Sequence, residues 1–164
     1  MSGPTDIVVR ADAWRNLRGA RRVVERAIDA CRLALGRTDE KAETCVVLCD
    51  DAEIRRLNGR WRGFDKATNV LSFPANAGSQ GASLGDIAIA YETVAGEAVA
   101  ENKALPAHLS HMVVHGYLHL VGYDHEDERD AEQMEDMERQ ILGVLGIDDP
   151  YASDDSASKR RRTR

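Results

Sequence analysis

Three observations on this 164-residue chain predict an α/β (α+β) sandwich around one four-stranded mixed sheet. Apolar runs of strand length come early and alternate with segments of helical period. Helical periodicity then dominates the last third. With 43% hydrophobic residues, a chain of this size buries roughly two-thirds of its unfolded surface, enough for one domain. Residues 1–150 are read as that domain, and residues 151–164 as a disordered basic tail.

The elements follow in order. Residues 5–10 form a short strand. Residues 16–35 form a helix with Val24, Ile28, Cys31 and Leu35 on one stripe, and Gly36 just past its end. Residues 43–49 make a second, apolar and central strand. Asp50 or Asp51 caps the next helix, which runs to about Arg60. Residues 69–73 give a third strand stopped by Pro74, and residues 75–83 a Gly/Ser/Ala-rich loop. Residues 85–90 give a fourth strand and 92–103 a helix. Pro106 suits the first turn of a helix reaching about Val121. A last helix covers 126–142, with Met134, Met137 and Ile141 inward.

Composition excludes several classes. No run of about 18 apolar residues exists, so no transmembrane helix is expected. Residues 1–10 lack a basic segment followed by an apolar one, so a secretory signal is not expected and the cytoplasm is the default address. Three cysteines, an odd number, argue against a disulfide framework. Cys45 and Cys49 share a strand face and could pair on a metal, but small buried thiols are the preferred reading. Residues 151–164 carry five basic side chains against two acidic, net +3, which leaves −9 on the rest of a chain whose total is −6. A body that acidic is a poor general binder of nucleic acid. Any RNA role rests on a local basic patch, on the tail, or on a partner that presents the substrate.

The segment His115-Gly-Tyr-Leu-His119-Leu-Val-Gly122-Tyr-Asp-His125 carries the strongest chemical signal. Two histidines four apart share a helix face, so both rings reach one ion. Gly122 lets the backbone turn sharply and return His125 to the same point. Three imidazoles leave a fourth position for water, the pattern of a catalytic zinc site, where the bound water has a pKa of about 7. His108 and His111 lie near the same stripe. They face substrate, support the ligands, or stack above the site, and the sequence does not separate these roles. His111 and His115 are also four apart, but only His115, His119 and His125 have the glycine turn that delivers a third ligand.

The ligand spacing matches the H-E-x-x-H-x-x-G-x-x-H pattern of metzincin proteases, with Gly116 where the glutamate base of those enzymes stands. Glycine cannot activate water, which points away from proteolysis. The densest basic patch of the body is Arg55, Arg56, Arg60, Arg62 and Lys66, with Trp61 interleaved. Guanidinium groups bind phosphate and stabilise charge developing in phosphoryl transfer. Arg55 and Arg56 read as a solvated helix face. Arg62 is expected off the regular helix, between Trp61 and Gly63.

Several segments together resemble the YbeY family of rRNA maturation endoribonucleases. They are Val47 to Ile54, Leu57-Asn58 with Trp61-Arg62-Gly63, Thr68-Asn69-Val70-Leu-Ser-Phe-Pro74, Leu84 to Ile89, and His115 to His125. The resemblance spans about residues 43–142 and does not reach the tail. Where the family often has Thr-Asp-Val, this chain has Thr68-Asn69-Val70, so a carboxylate there is dispensable or replaced. The resemblance implies a zinc-hydrolase-like fold with the metal-bearing helix at a cleft. It implies one zinc ion per chain on His115, His119 and His125, and catalysis by Arg62. It also implies cleavage of single-stranded RNA, not DNA, in 16S rRNA 3′-end maturation, with the ribosome or its small subunit as partner in quality control. Asp124 is a candidate general base and equally a candidate to orient a histidine ring. The alternatives are a metzincin-like zinc hydrolase or peptidase, and a non-catalytic zinc-containing ribosome assembly factor.

Overall fold

The computed structural model describes residues 4–76 and 81–152. Three strands, β1 (Thr5–Val9), β2 (Glu43–Cys49) and β4 (Ser83–Ala90), run parallel, and β3 (Val70–Pro74) lies antiparallel to β4 at one edge. The order across the sheet is β1-β2-β4-β3, so it is four-stranded and mixed as expected. Five α-helices accompany it: α1 (Ala20–Ala34), α2 (Asp51–Arg62), α3 (Tyr91–Ala100), α4 (Leu105–Leu120) and α5 (Glu128–Val144).

Strand alternation explains why helices cover both faces. Val46, Leu48, Ile87 and Ile89 point one way, into a core shared with Val24 and Ile28 of α1 and Leu109, Val113 and Tyr117 of α4. Their neighbours Cys49, Ala88 and Ala90 point the other way and pack with Ile54 of α2. Thus α4 lies on one side of the sheet and α2 on the other. α5 packs on α4 from outside. Among the described residues, no helix is long and apolar enough to cross a membrane.

Several boundaries differ from expectation for local reasons. A short 3₁₀ turn (Asp12–Asn16) occupies the start of the expected first helix. That turn seats Trp14, whose indole N–H donates to the Cys49 carbonyl at 2.8 Å, and α1 begins only at Ala20. Leu35 follows α1 as its C-cap rather than continuing its stripe. Asp50 caps α2 by accepting from the Glu53 N–H, whereas Asp51 accepts from Thr93 and ties α2 to α3. α2 runs two residues further than expected, through Arg62. Arg62 is therefore the last helical residue and not a loop residue. Gly63, at φ 77°, turns the chain, and the N–H groups of Gly63 and Phe64 both donate to the Asn58 carbonyl. Part of the expected 75–83 loop, residues 77–80, lies outside the described residues, as does the expected tail beyond Ala152.

Candidate metal centre and its cleft

α4 brings His115 and His119 to one face near its C-terminal end, with their ring centroids 4.7 Å apart. The helix stops at Leu120. Gly122, at φ 101°, lets the Tyr123 N–H donate back to the Leu118 carbonyl at 2.9 Å, the hydrogen bond that closes a helix C-terminus. The reversal returns His125 to 5.1 Å from His119 and 5.9 Å from His115, centroid to centroid. One ligand nitrogen from each of the three lies within 4.8 Å of the others. Among the described residues this is the one cluster able to hold a metal ion.

Hydrogen bonds fix which nitrogen of each inner ring is available. His119 Nδ1 lies 3.0 Å from the Tyr123 carbonyl oxygen, which can only accept, so Nδ1 carries the proton and Nε2 a lone pair. His115 Nδ1 lies 2.6 Å from Glu138 Oε1. Burial would push the Glu138 carboxyl up. Hydrogen bonds from His111 and His115 instead hold it down at about 2. It is therefore ionised and accepts from His115 Nδ1–H, which leaves Nε2 as the atom the neutral ring would offer to a metal. The two Nε2 atoms face each other at 3.1 Å. At that distance the two nitrogens either share a proton in an N–H···N hydrogen bond or, with both rings neutral, face a common cation. Two Zn–N bonds of about 2.0–2.1 Å at a tetrahedral angle would set them about 3.3 Å apart. The donor set therefore fits a divalent metal ion. Burial, and then the neighbouring His115 and His125, lower the His119 pKa, which favours the neutral, ligating ring.

Glu138 was not foreseen. It is 0% exposed on α5, and its second oxygen accepts from His111 Nε2 at 3.0 Å and from the Tyr151 hydroxyl. The expected inward stripe of α5 named Met134, Met137 and Ile141. Met134 and Ile141 are buried, Met137 is only partly so, and Glu138 fills the remaining inward position. A carboxylate in register with Met134 and Ile141 was the signal available in the sequence. Tyr151, assigned to the tail, instead docks on this carboxylate with its ring against His111 at 5.8 Å.

His108 belongs to a separate network. Its Nε2 lies 2.9 Å from Glu97, which also accepts from the Asn69 amide at 3.1 and 3.2 Å. A carboxylate at position 69 would stand against Glu97 as a like charge, whereas the amide donates to it. Asp124 accepts from the backbone N–H of His125 at 2.8 Å, and its carboxylate is 3.6 Å from His125 Nδ1.

The histidines open into a cleft of about 560 Å³ that edge strand β3 borders on the opposite side. Arg62 reaches this cleft from α2, around the sheet edge. It donates to the Ser72 carbonyl at 2.6 Å, and its guanidinium carbon lies 5.6 Å from the centre of the Phe73 ring. Gly116 explains the missing glutamate. A Cβ there would meet Ile87 Cγ2 at 2.6 Å and Ser72 Oγ at 3.2 Å, and its carbonyl accepts from that hydroxyl. The position faces the sheet at closest approach and has no room for a side chain.

Other sequence candidates separate from the site. Cys45 and Cys49 join no metal-binding group among the described residues. Burial, followed by nearby carboxylates, holds their thiols up at about 11 and 12, so they remain protonated. Arg55 pairs with exposed Asp65 at 2.8 Å, a solvated ion pair as expected.

The chain matches the sequence profile of a family described as "Endoribonuclease YbeY" over residues 10–146. A protein named endoribonuclease YbeY from Rhodopseudomonas palustris is 51% identical over 163 residues, covering 96% of this chain and 95% of the relative. One of the same name from Bradyrhizobium diazoefficiens is 51% identical over 155 residues, covering 90% and 85%. A solution structure of a Thermotoga maritima protein aligns with a TM-score of 0.53 at 25% identity, covering 89% of this chain and 97% of the other.

Proposed function

The chain belongs to the YbeY endoribonuclease family, and from that premise we propose that it cleaves single-stranded RNA with the help of one zinc ion held by His115, His119 and His125. The observation that carries this reading is the cluster of three histidine nitrogens within 4.8 Å of one another, facing the same cleft as Arg62. Held by those rings, zinc would supply a Lewis acid for phosphodiester cleavage. Glu138 and the Tyr123 carbonyl keep the two inner rings in the ligating tautomer. Arg62 uses one N–H on Ser72, and the remaining donors of its fork are suited to neutralising charge that builds on the phosphoryl oxygens. Gly116 leaves no room for a peptidase base, which argues against peptide hydrolysis.

The substrate we propose is the 3′-end precursor of 16S rRNA, presented on the small ribosomal subunit in the cytoplasm, with a part in ribosome quality control. The net charge of −6 supports presentation by a partner over capture of free RNA. The test is cleavage of a 16S 3′-end precursor by metal-assayed protein, with wild type, His119→Ala and Arg62→Ala prepared identically. Cleavage by wild type that is lost in both variants is expected. Equal cleavage by all three marks a contaminant. Zinc binding without cleavage, even on added subunits, favours a structural role in ribosome assembly.

A further inference from the structure

Arg62 borders two clefts. Beyond it, on the α2 face of the sheet, lies a second cleft of about 600 Å³ whose wall includes Trp61, Arg62 and Phe73. The surface around it is unusual for this chain. Trp61 is 60% exposed and Phe64 58%, whereas the other tryptophan, Trp14, is 1% exposed. Each aromatic of this surface carries a cation. Arg60 lies 5.1 Å from the Trp61 ring centre, Lys66 5.6 Å from Phe64, and Arg62 5.6 Å from Phe73. Two nearby carboxylates are neutralised by ion pairs, Glu53 with Arg10 and Asp65 with Arg55, while Asp86 lines the cleft. The patch is thus basic on an otherwise acidic body.

We propose that this surface is a subsite for unpaired nucleotides flanking the scissile phosphate, with bases stacking on Trp61 and Phe64 and the backbone running past Arg60 and Lys66. The inference rests on the ribonuclease reading above. Stacking platforms interleaved with cations are how proteins hold single strands without reading their sequence. A protein-docking face would bury its aromatics around an apolar centre with charge at the rim, whereas here a cation sits over every ring. Continuity with the histidine cleft through Arg62 gives a strand a path from one side of the sheet edge to the other.

The two tryptophans make the subsite observable. Trp14 is buried and reports the fold, while Trp61 is exposed and reports the surface. Metal-loaded, full-length protein is titrated with an uncleavable 2′-O-methyl single-stranded oligonucleotide, reading tryptophan emission and the anisotropy of a dye on the strand. Quenching of the exposed component is expected. So is binding weakened about tenfold or more in Trp61→Ala and in Phe64→Ala, with recovery in Trp61→Phe. A matching rise in KM on cleavable RNA is expected in the two alanine variants. Unchanged emission together with equal affinity in wild type and Trp61→Ala overturns the subsite and leaves the ribonuclease reading intact. If wild type neither binds nor cuts RNA, the ribonuclease reading falls and the subsite with it.

Discussion

The histidine side of the cleft and the arginine side are built on opposite plans. His115 and His119 are held from behind by a carbonyl and a fully buried carboxylate, and that carboxylate is itself held by His111 and Tyr151. Arg62 is exposed at the end of a helix and is tethered by one carbonyl on an edge strand. A group that must present a lone pair in a fixed direction needs buried support. A group that must follow charge on a moving phosphate needs reach. The difference predicts that changes behind the histidines alter stability and metal affinity, while changes on the arginine side act on the substrate and leave stability and metal content intact.

The largest expected effect tests the buried side. Glu138→Ala leaves two histidines and a tyrosine hydroxyl around a lost charge. Three buried donors losing their common acceptor, at about 1–3 kcal/mol each, should cost about 3–5 kcal/mol or more of unfolding free energy in chemical denaturation. Zinc affinity should fall about 10–100-fold by calorimetric titration. A variant that unfolds like wild type would remove the basis of the comparison. On the other side, Arg62→Ala should lower kcat by about 10²–10³ with metal content and denaturation midpoint unchanged. A loss of stability there would mean that the Ser72 tether is structural. Gly116→Ala drives a methyl group into Ile87 and should destabilise by about 1–3 kcal/mol. Circular dichroism during denaturation measures this, and full stability would show that α4 can lift from the sheet. The smallest effect is expected for Arg55→Ala, whose exposed pair with Asp65 should leave the melting midpoint where it was.

The same contrast explains what could be read in the sequence. The triad was legible because its spacing is local: two ligands share a helix face four residues apart, and a glycine turn delivers the third. Glu138 and Tyr151 are 23 and 36 positions from His115, and sequence spacing alone does not reveal a partner on another element. Arg62 was found by its residue type and by family resemblance. Its placement was misjudged because the helix was expected to stop at about Arg60, whereas α2 continues to Arg62 and closes at Gly63 on the Asn58 carbonyl. The sheet was legible in its strand count and mixed character, since apolar runs mark each strand. Its order, with β4 inserted between β2 and β3, depends on long-range pairing that no single segment encodes.

The hydrogen bond from Arg62 to the Ser72 carbonyl has a consequence outside catalysis. β3 is an edge strand, and an edge strand offers its outer backbone groups as a template for any extended chain, whether a peptide to be bound or another molecule of the same protein. A guanidinium on one of those acceptors, with Pro74 at the strand end, closes that template. The residue proposed to meet phosphate in the cleft therefore also keeps polypeptide from zipping onto its rim, and its removal exposes the sheet edge as well as the substrate.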